Sequence, residues 1–197
     1  MIVLRKSRES LHDERCKVSN SIRQRAIQLL HAHEHEPPTD IHNAIIDMRR
    51  NAERDDEKVL SQFLDHYDPM VVAATLHTLC EVHDQRAALR SLLERLVAKG
   101  DSRESEDVDR PIQCMAIALL ALFGSGDQIA VGKIVQLAEN RHAADTSRAC
   151  AWERLAQLFD AEWPRDAAEE LMLRPESDAS DHIRNCIRKK VDARGLH

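Results

Sequence analysis

Aromatic and turn-forming residues are scarce in this chain. Phe, Trp and Tyr together make up 3% of its residues, and it contains only five Gly and six Pro. β-sandwiches and β-barrels need aromatic and β-branched residues in their strands and frequent turns between them. Ala, Leu, Arg, Glu and Gln dominate instead, and these residues are strong helix formers. The sequence therefore predicts an all-α protein.

The chain also lacks a long apolar run. The longest, from Met115 to Phe123, is too short to cross a bilayer, and the residues after Met1 do not form the apolar stretch of a secretory signal. The five cysteines are odd in number and include no C-x-x-C pair. This pattern favours reduced thiols. We expect a cytoplasmic protein that does not associate with membranes.

Positive charge is scarce in the middle of the chain. The net charge is −6 over 197 residues. Residues 1–30 and 183–197 are each net basic, so the excess of acidic residues lies between them. Proteins that wrap nucleic acid duplexes need a basic stripe to neutralise phosphates. Nucleic acid is therefore an unfavoured partner, whereas a protein partner, including a basic one, fits the charge.

Four stretches are expected along the chain. Residues 1–18 are polar and without clear periodicity, so we expect a poorly ordered segment. Residues 19–57 predict an irregular N-terminal helical cap, interrupted at Pro37-Pro38 because proline cannot continue a helix. Residues 58–193 predict regular helical repeats, and residues 194–197 a short tail.

One segment of the chain recurs at a shift of 36 residues. The matching positions are Cys114, Leu119, Leu122 and Phe123 against Cys150, Leu155, Leu158 and Phe159, and Cys186 and Val191 continue the series. An earlier copy ends at Cys80 and is displaced by 43 residues, so residues 100–107 predict a lengthened loop. A period of 34–47 residues with two helices per unit is typical of helical repeat arrays.

Each repeat is predicted to consist of two helices. Asp84-Gln85 and Asp127-Gln128 open first helices, and Asp at the start of the second helix is suited to cap free N–H groups. In the second helix, an apolar stripe is predicted to be buried by the neighbouring helix pair. Its members in one copy are Cys114, Met115, Leu119, Leu122 and Phe123. The repeated cysteines are predicted to fill the core.

The second helices resemble those of HEAT/armadillo repeats. They are the Asp-led, Ala- and Leu-rich segments 68–82, 107–123, 145–160 and 178–193. Three of them contain an Asp-x-x-Arg pair, namely Asp107/Arg110, Asp145/Arg148 and Asp181/Arg184, the first of which is two residues out of register with the cysteines. The resemblance covers residues 58–193. It implies an α-α superhelix of antiparallel helix pairs, a HEAT-like solenoid of about eight helices, in which the Asp caps and ties adjacent units.

Residues 31–36 hold the polar cluster best suited to a metal. On a helix, His31 and His35 share one face with Glu34 beside them, a spacing that can hold zinc or another transition metal. The cluster adjoins two prolines, where a helix frays, and a third ligand would have to come from elsewhere. His31, Glu34 and His35 are therefore weak metal candidates, and the sequence predicts no bound metal and no cofactor.

An enzyme on a HEAT-like scaffold is the alternative from another class, either metal-dependent or DNA-glycosylase-like. HEAT-like hydroxylases bind iron through His-Glu pairs on several repeats, but here such pairs occur only at 33–34 and 35–36. A glycosylase of this kind would need aromatic and Arg residues on a basic surface. Trp152 and Trp163 are present, yet the middle of the chain is acidic. No nucleophile elbow or Gly-rich phosphate loop occurs, so an enzyme is not favoured.

The function predicted from these features is a non-enzymatic adaptor that binds a protein partner on the ridge of second helices. The residues predicted to bind it lie between the repeated apolar positions: Gln113, Arg148, Trp152, Glu153, Arg184 and Arg188. Trp152 is included because Trp is enriched in interface hot spots. A second possibility within binding is an immunity- or antitoxin-type inhibitor of a basic toxin, recognised by charge complementarity.

Overall fold

The computed structural model describes residues 21–99 and 111–195, and these residues form ten α-helices and no strand. The prediction of an all-α protein is confirmed. The predictions for residues 1–18, for the loop at 100–107 and for Asp107/Arg110 lie outside the described residues. The chain divides into two compact units, with the boundary between Asp84 and Gln85.

The first unit contains four helices. They are α1 (residues 21–31), α2 (Pro38–Arg50), α3 (Glu57–Ser61) and α4 (Pro69–His77), and α4 continues as a π-helical turn over Thr78–Val82. Short 3-10 turns cover His33–His35, Arg54–Asp56 and Gln62–Asp65. Helix α2 packs against α4. The core between these elements is aliphatic with one aromatic ring, and its fully buried members include Ile41, Ile45, Met48, Leu60, Phe63 and Leu76.

Local sequence explains where these helices begin. Pro38 occupies the first turn of α2, a position where its missing N–H costs nothing. Asp68 is the N-cap of α4, and its Oδ1 accepts hydrogen bonds from the backbone N–H of Met70 at 2.9 Å and of Val71 at 3.2 Å. These bonds satisfy two of the donors that every helix start leaves free.

The second unit contains six helices. They are α5 (Arg86–Lys99), α6 (Pro111–Ala121), α7 (Gln128–Glu139), α8 (Asp145–Leu158), α9 (Ala167–Leu173) and α10 (Asp178–Asp192). The predicted second helices 145–160 and 178–193 coincide with α8 and α10 within two residues at each end. The described residues form ten helices, so the predicted total of about eight is not confirmed. Helices α3 and α9, with five and seven residues, are too short to show a clear period in the sequence.

Helices α6 and α8 lie at the centre of the second unit. Helix α6 packs against α5, α7 and α8, and α8 also packs against α7, α9 and α10. Helix α6 is therefore buried on several sides, by Ile112, Ala116, Ile117, Leu119 and Leu120. No described helix is both long and apolar enough to cross a membrane.

The predicted apolar stripe of α6 is wrong at most of its positions. Of its five members only Leu119 is buried, whereas Cys114, Met115 and Phe123 are half-buried. Leu122 is 47% exposed, and it lies in the turn that follows the end of α6 at Ala121. A single-stripe pattern does not describe a helix that is surrounded by three others.

An ion pair joins α5 to the start of α7. Asp127 caps α7, accepting the backbone N–H of Ala130 at 3.0 Å. The guanidinium of Arg90 donates to both oxygens of the same carboxylate at 2.8 Å and lies 4.9 Å from the ring centroid of Phe123. The hydrogen bond from Arg90, followed by that from Ala130, lowers the pKa of Asp127 below its ordinary value. The predicted start of a helix at Asp127-Gln128 is confirmed, and Asp127 is its N-cap.

Candidate functional site

A recessed polar cavity of about 180 Å³ lies beside the end of α7, α8 and α10. We call it the arginine cavity. Its lining residues are Ala138, Glu139, Arg141, Arg148, Trp152, Glu176, Asp181, Arg184 and Arg188. Four of the six residues predicted to bind a partner are among them. All of the lining belongs to the second unit.

Two walls of this cavity come from sequence positions that are 36 residues apart. Arg148 and Trp152 are four residues apart on α8, so they share one face of that helix. Arg184 and Arg188 occupy the same two repeat positions on α10, 36 residues later. Because α8 packs against α10, equivalent positions of successive copies come together around one space.

The Asp-x-x-Arg pairs hold two of the arginines in place. Arg148 donates to Oδ1 of Asp145 at 3.1 Å and to the carbonyl oxygen of Ala138 at 3.5 Å. Arg184 donates to Oδ1 of Asp181 at 2.7 Å and to the carbonyl oxygen of Pro175. Arg148 therefore links α8 to the last turn of α7, and Arg184 links α10 to the turn that follows α9.

The aspartates of these two pairs do not cap their helices, so that part of the prediction is wrong. The N-cap of α8 is Ala144, which offers no side-chain hydrogen bond. The N-cap of α10 is Ser177, whose hydroxyl accepts from the backbone N–H of Ser180 at 3.1 Å. Asp145 and Asp181 instead bind arginine, because each lies in the first turn, three residues before its partner.

Trp152 forms an inner surface of the cavity, and the guanidinium of Arg188 lies over it. The side chain of Trp152 is 1% exposed, and its Nε1–H is buried without a hydrogen-bond partner. The central guanidinium carbon of Arg188 is 5.6 Å from the indole centroid, within the range of a cation–π contact. The Nε of Arg188 also donates to Oε1 of Glu139 at 2.9 Å. Trp152 is thus buried beneath Arg188 and is not an exposed contact residue.

The cavity has more hydrogen-bond donors than acceptors. Each guanidinium offers five N–H groups and stays charged at any physiological pH, and four arginines line the space. Their acidic neighbours in the lining are Glu139, Glu176 and Asp181. Arg141 forms no ion pair with any residue that the structure describes. The balance favours a negatively charged, acceptor-rich group in this space.

Two predicted contact residues lie outside the cavity. Gln113 is 3% exposed, and its Nε2 donates to the carbonyl oxygens of Val97 at 3.2 Å and Leu96 at 3.5 Å. It therefore joins α6 to α5. Glu153 is half-buried, and its Oε1 accepts from Nε2 of Gln157 at 3.4 Å on the same helix. Neither residue is brought near the arginines of the cavity.

The weak metal candidates do not converge. His31 ends α1, whereas Glu34 and His35 belong to a separate 3-10 turn, and all three side chains are exposed. The helical spacing that would have placed His31 and His35 on one face is broken at residue 32. In residues 21–99 and 111–195, no group of three or more His, Cys, Asp or Glu side chains is arranged to hold a metal ion.

The repeated cysteines lie at the edge of the core. Cys114, Cys150 and Cys186 are half-buried, so the prediction that they fill the core is wrong, whereas Cys80 is fully buried. The Sγ of Cys150 lies 3.9 Å from the carbonyl oxygen of Cys114. A hydrogen bond with the Cys114 side chain, assisted by the charge of Arg154 and opposed by burial, lowers the pKa of the Cys150 thiol.

Sequence reasoning missed the loop residues of the cavity. Arg141 lies in the turn between α7 and α8, and Glu176 in the turn between α9 and α10. These turns contain no matching residues at the 36-residue shift, so the repeat could not mark them. The sequence signal that could have indicated these residues is their position a few residues before an Asp-x-x-Arg pair.

Comparisons with protein-family models, curated proteins and solved structures found no significant match to the chain.

Proposed function

We propose that this chain is a non-enzymatic adaptor, in which a HEAT-like array of helix pairs holds a protein partner at the arginine cavity. The observation that carries the proposal is the meeting of Arg148, Trp152, Arg184 and Arg188 around one recessed space. These residues come from two consecutive repeats. A recess of this size suits one side chain of a partner, which would anchor a larger contact around it.

The packing of consecutive helices supports the array. Helices α5 and α6, α7 and α8, and α9 and α10 are in contact as pairs, and the contacts of α5 with α7, α6 with α8 and α8 with α10 join one pair to the next. This nearest-neighbour pattern is the one by which repeat proteins bury their apolar faces. Such arrays use surfaces shared by several repeats to bind other proteins.

The chemistry of the cavity favours recognition over catalysis. General acid or base catalysis needs a group whose pKa lies near the working pH, whereas arginine keeps its proton throughout that range. Four guanidinium groups can instead bind a carboxylate or phosphate through several parallel hydrogen bonds. The partner that fits this site presents an acidic group to it, although the acidic middle of the chain is also compatible with a basic partner.

Photo-crosslinking in the native host tests this function. A chain with p-benzoylphenylalanine in place of Glu176, at the exposed edge of the cavity, is expected to form an adduct with one stoichiometric protein. The matched control carries the same group at Leu122, which is also exposed but lies outside the cavity lining. The adduct at 176 should disappear with Arg188→Glu, because the substitution reverses one charge of the site.

Two results would count against the adaptor proposal. Equal labelling from positions 176 and 122 would show that the cavity has no preferred partner. Capture of a basic nuclease that survives Arg188→Glu would support the inhibitor alternative, since such a partner would be held by the acidic surface.

A further inference from the structure

We propose that the arginine cavity binds a phosphate group, carried either by a phosphorylated side chain of the partner or by a free phosphorylated small molecule. The inference rests on the proposed function because it uses the same cavity. It goes further by naming the chemical group that the cavity holds.

Most guanidinium donors of the cavity are unused by the hydrogen bonds that the structure describes. Arg148 and Arg184 each make two hydrogen bonds through their guanidinium groups, and Arg188 makes one. Since each guanidinium has five N–H groups, most donors of the three remain available. A ligand with several acceptor oxygens would be stabilised by charge-assisted hydrogen bonds to them.

A phosphate suits the cavity better than a carboxylate does. Arg184 already binds Asp181, and Arg188 already binds Glu139. A ligand carboxylate would bring one charge and would compete with carboxylates that are already in place. A phosphate monoester brings a charge of about −1.5 to −2 and three terminal oxygens. It can therefore bind several arginines while those pairs remain partly formed.

Two of the four arginines are held in place before a ligand arrives. The side chains of Arg148 and Arg184 are only 14% and 11% exposed, and each is bound by a backbone carbonyl and an aspartate. The ring of Trp152 lies beneath Arg188, which is 46% exposed. Fixing an arginine before binding reduces the entropy lost when the ligand arrives. Arg148 and Arg184 therefore form the prepared part of an anion site, and Arg141 and Arg188 are its exposed part.

Tryptophan fluorescence gives a direct test that needs no partner. The chain contains two Trp residues, so Trp163→Phe leaves Trp152, beneath Arg188, as the sole reporter. We expect inorganic phosphate and O-phosphoserine to produce a saturable change in its emission at constant ionic strength. Acetate and serine are the matched controls and should produce none.

Variants assign the fluorescence change to the cavity. In the same background, Arg188→Gln and Arg141→Gln should each weaken phosphate binding about tenfold, the usual effect of one lost charge-assisted hydrogen bond. Arg165→Gln is the control, because Arg165 is exposed and lies outside the cavity lining. It should leave the affinity unchanged.

Two outcomes would overturn the proposal. One is the absence of a saturable change up to about 10 mM phosphate, a range in which even a weak site is filled. The other is a change that acetate reproduces or that Arg188→Gln leaves intact. Either result would remove the phosphate assignment while leaving the crosslinking test of the adaptor function valid.

Phosphatase treatment distinguishes the two sources of phosphate. If the group belongs to the partner, dephosphorylating the host extract should abolish the adduct formed from position 176. If the adduct persists while the fluorescence titration succeeds, the cavity binds a free phosphorylated molecule. A failed crosslink with a successful titration would overturn the adaptor function and not the phosphate site.

Discussion

The two units of this chain are stabilised in different ways. In the second unit, the same kinds of contact recur at a shift of 36 residues, as in the pairs Asp145/Arg148 and Asp181/Arg184. In the first unit, two turns are each fixed by a side-chain cluster of their own. Arg23 binds the buried carboxylate of Asp56, which also accepts the backbone N–H of Glu53 at 2.9 Å.

A second cluster of the first unit involves its π-helical turn. Nη1 of Arg49 donates to Nδ1 of His77 at 2.9 Å, and Nε2 of His77 donates to Oε2 of Glu81. Glu81 lies within the π-helical turn, and Nη2 of Arg49 is 3.6 Å from its carboxylate. In the second unit, side chains 36 residues apart on α8 and α10 meet in the arginine cavity, whereas the clusters of the first unit have no counterpart at that shift.

The largest effect should come from removing the indole of Trp152. Trp152→Ala would leave a hole beneath Arg188 and between α8 and its neighbours, so we expect a loss of about 3–5 kcal/mol in the free energy of unfolding. Urea denaturation measures it. Leu122→Ala, at an exposed position, is the control and should change stability by less than about 0.5 kcal/mol. An equally small effect for Trp152→Ala would show that its burial contributes little.

The first unit should be sensitive to a single ion pair. Arg23→Ala would leave the carboxylate of Asp56, which is 2% exposed, without its cation. We expect a loss of about 2 kcal/mol, within the range for a hydrogen bond to a charged buried group. Arg25→Ala, two residues away and exposed, should be neutral in the same denaturation experiment. Equal effects of the two substitutions would contradict the role given to Arg23.

How much the sequence predicted depends on the length and regularity of each element. The second helices α8 and α10 were located because their apolar residues recur at a fixed shift. The bounds of the short helices α3 and α9 could not be predicted, because these helices span too few turns. Arg148, Arg184 and Arg188 were selected because they lie between the repeated apolar positions, whereas Arg141, in a turn, was not recognised. The burial of Trp152 was not predicted, because Trp152 was selected as an interface residue.

A smaller and pH-dependent effect is expected at Asp127. Asp127→Asn keeps a capping side chain but removes the charge bound by Arg90, so we expect a loss of about 0.5 kcal/mol at neutral pH, as for exposed ion pairs. The pKa of Asp127 is lowered in the folded chain. Its stabilisation is therefore present above the unfolded value of about 4 and is lost as pH falls through the folded pKa.

Denaturation at several pH values checks this prediction. The difference in stability between the native chain and Asp127→Asn should shrink as the pH falls below about 4. A difference that stays constant from pH 7 down to about pH 2 would show that the Arg90 pair does not depend on the charge of Asp127.

The smallest effect concerns the thiol of Cys150. Because its pKa is lowered first by the Cys114 side chain, the pH at which its alkylation rate reaches half maximum should lie below the ordinary value for cysteine. We expect Cys114→Ser to shift that midpoint upward, because the Cys114 thiol is the main cause of the lowered pKa of Cys150. Peptide mass spectrometry after timed iodoacetamide labelling measures the midpoint. An ordinary midpoint in the native chain would contradict the prediction.

The most direct test of the central claim is a crystal structure of the chain with tungstate, an electron-dense tetrahedral oxyanion that can stand in for phosphate. The account predicts an anomalous peak in the arginine cavity, within hydrogen-bond distance of Arg184 and Arg188. It also predicts that the peak is absent in Arg188→Gln at the same concentration. A cavity without a peak, or with one that persists in the variant, would contradict the claim that two consecutive repeats form an anion-binding site.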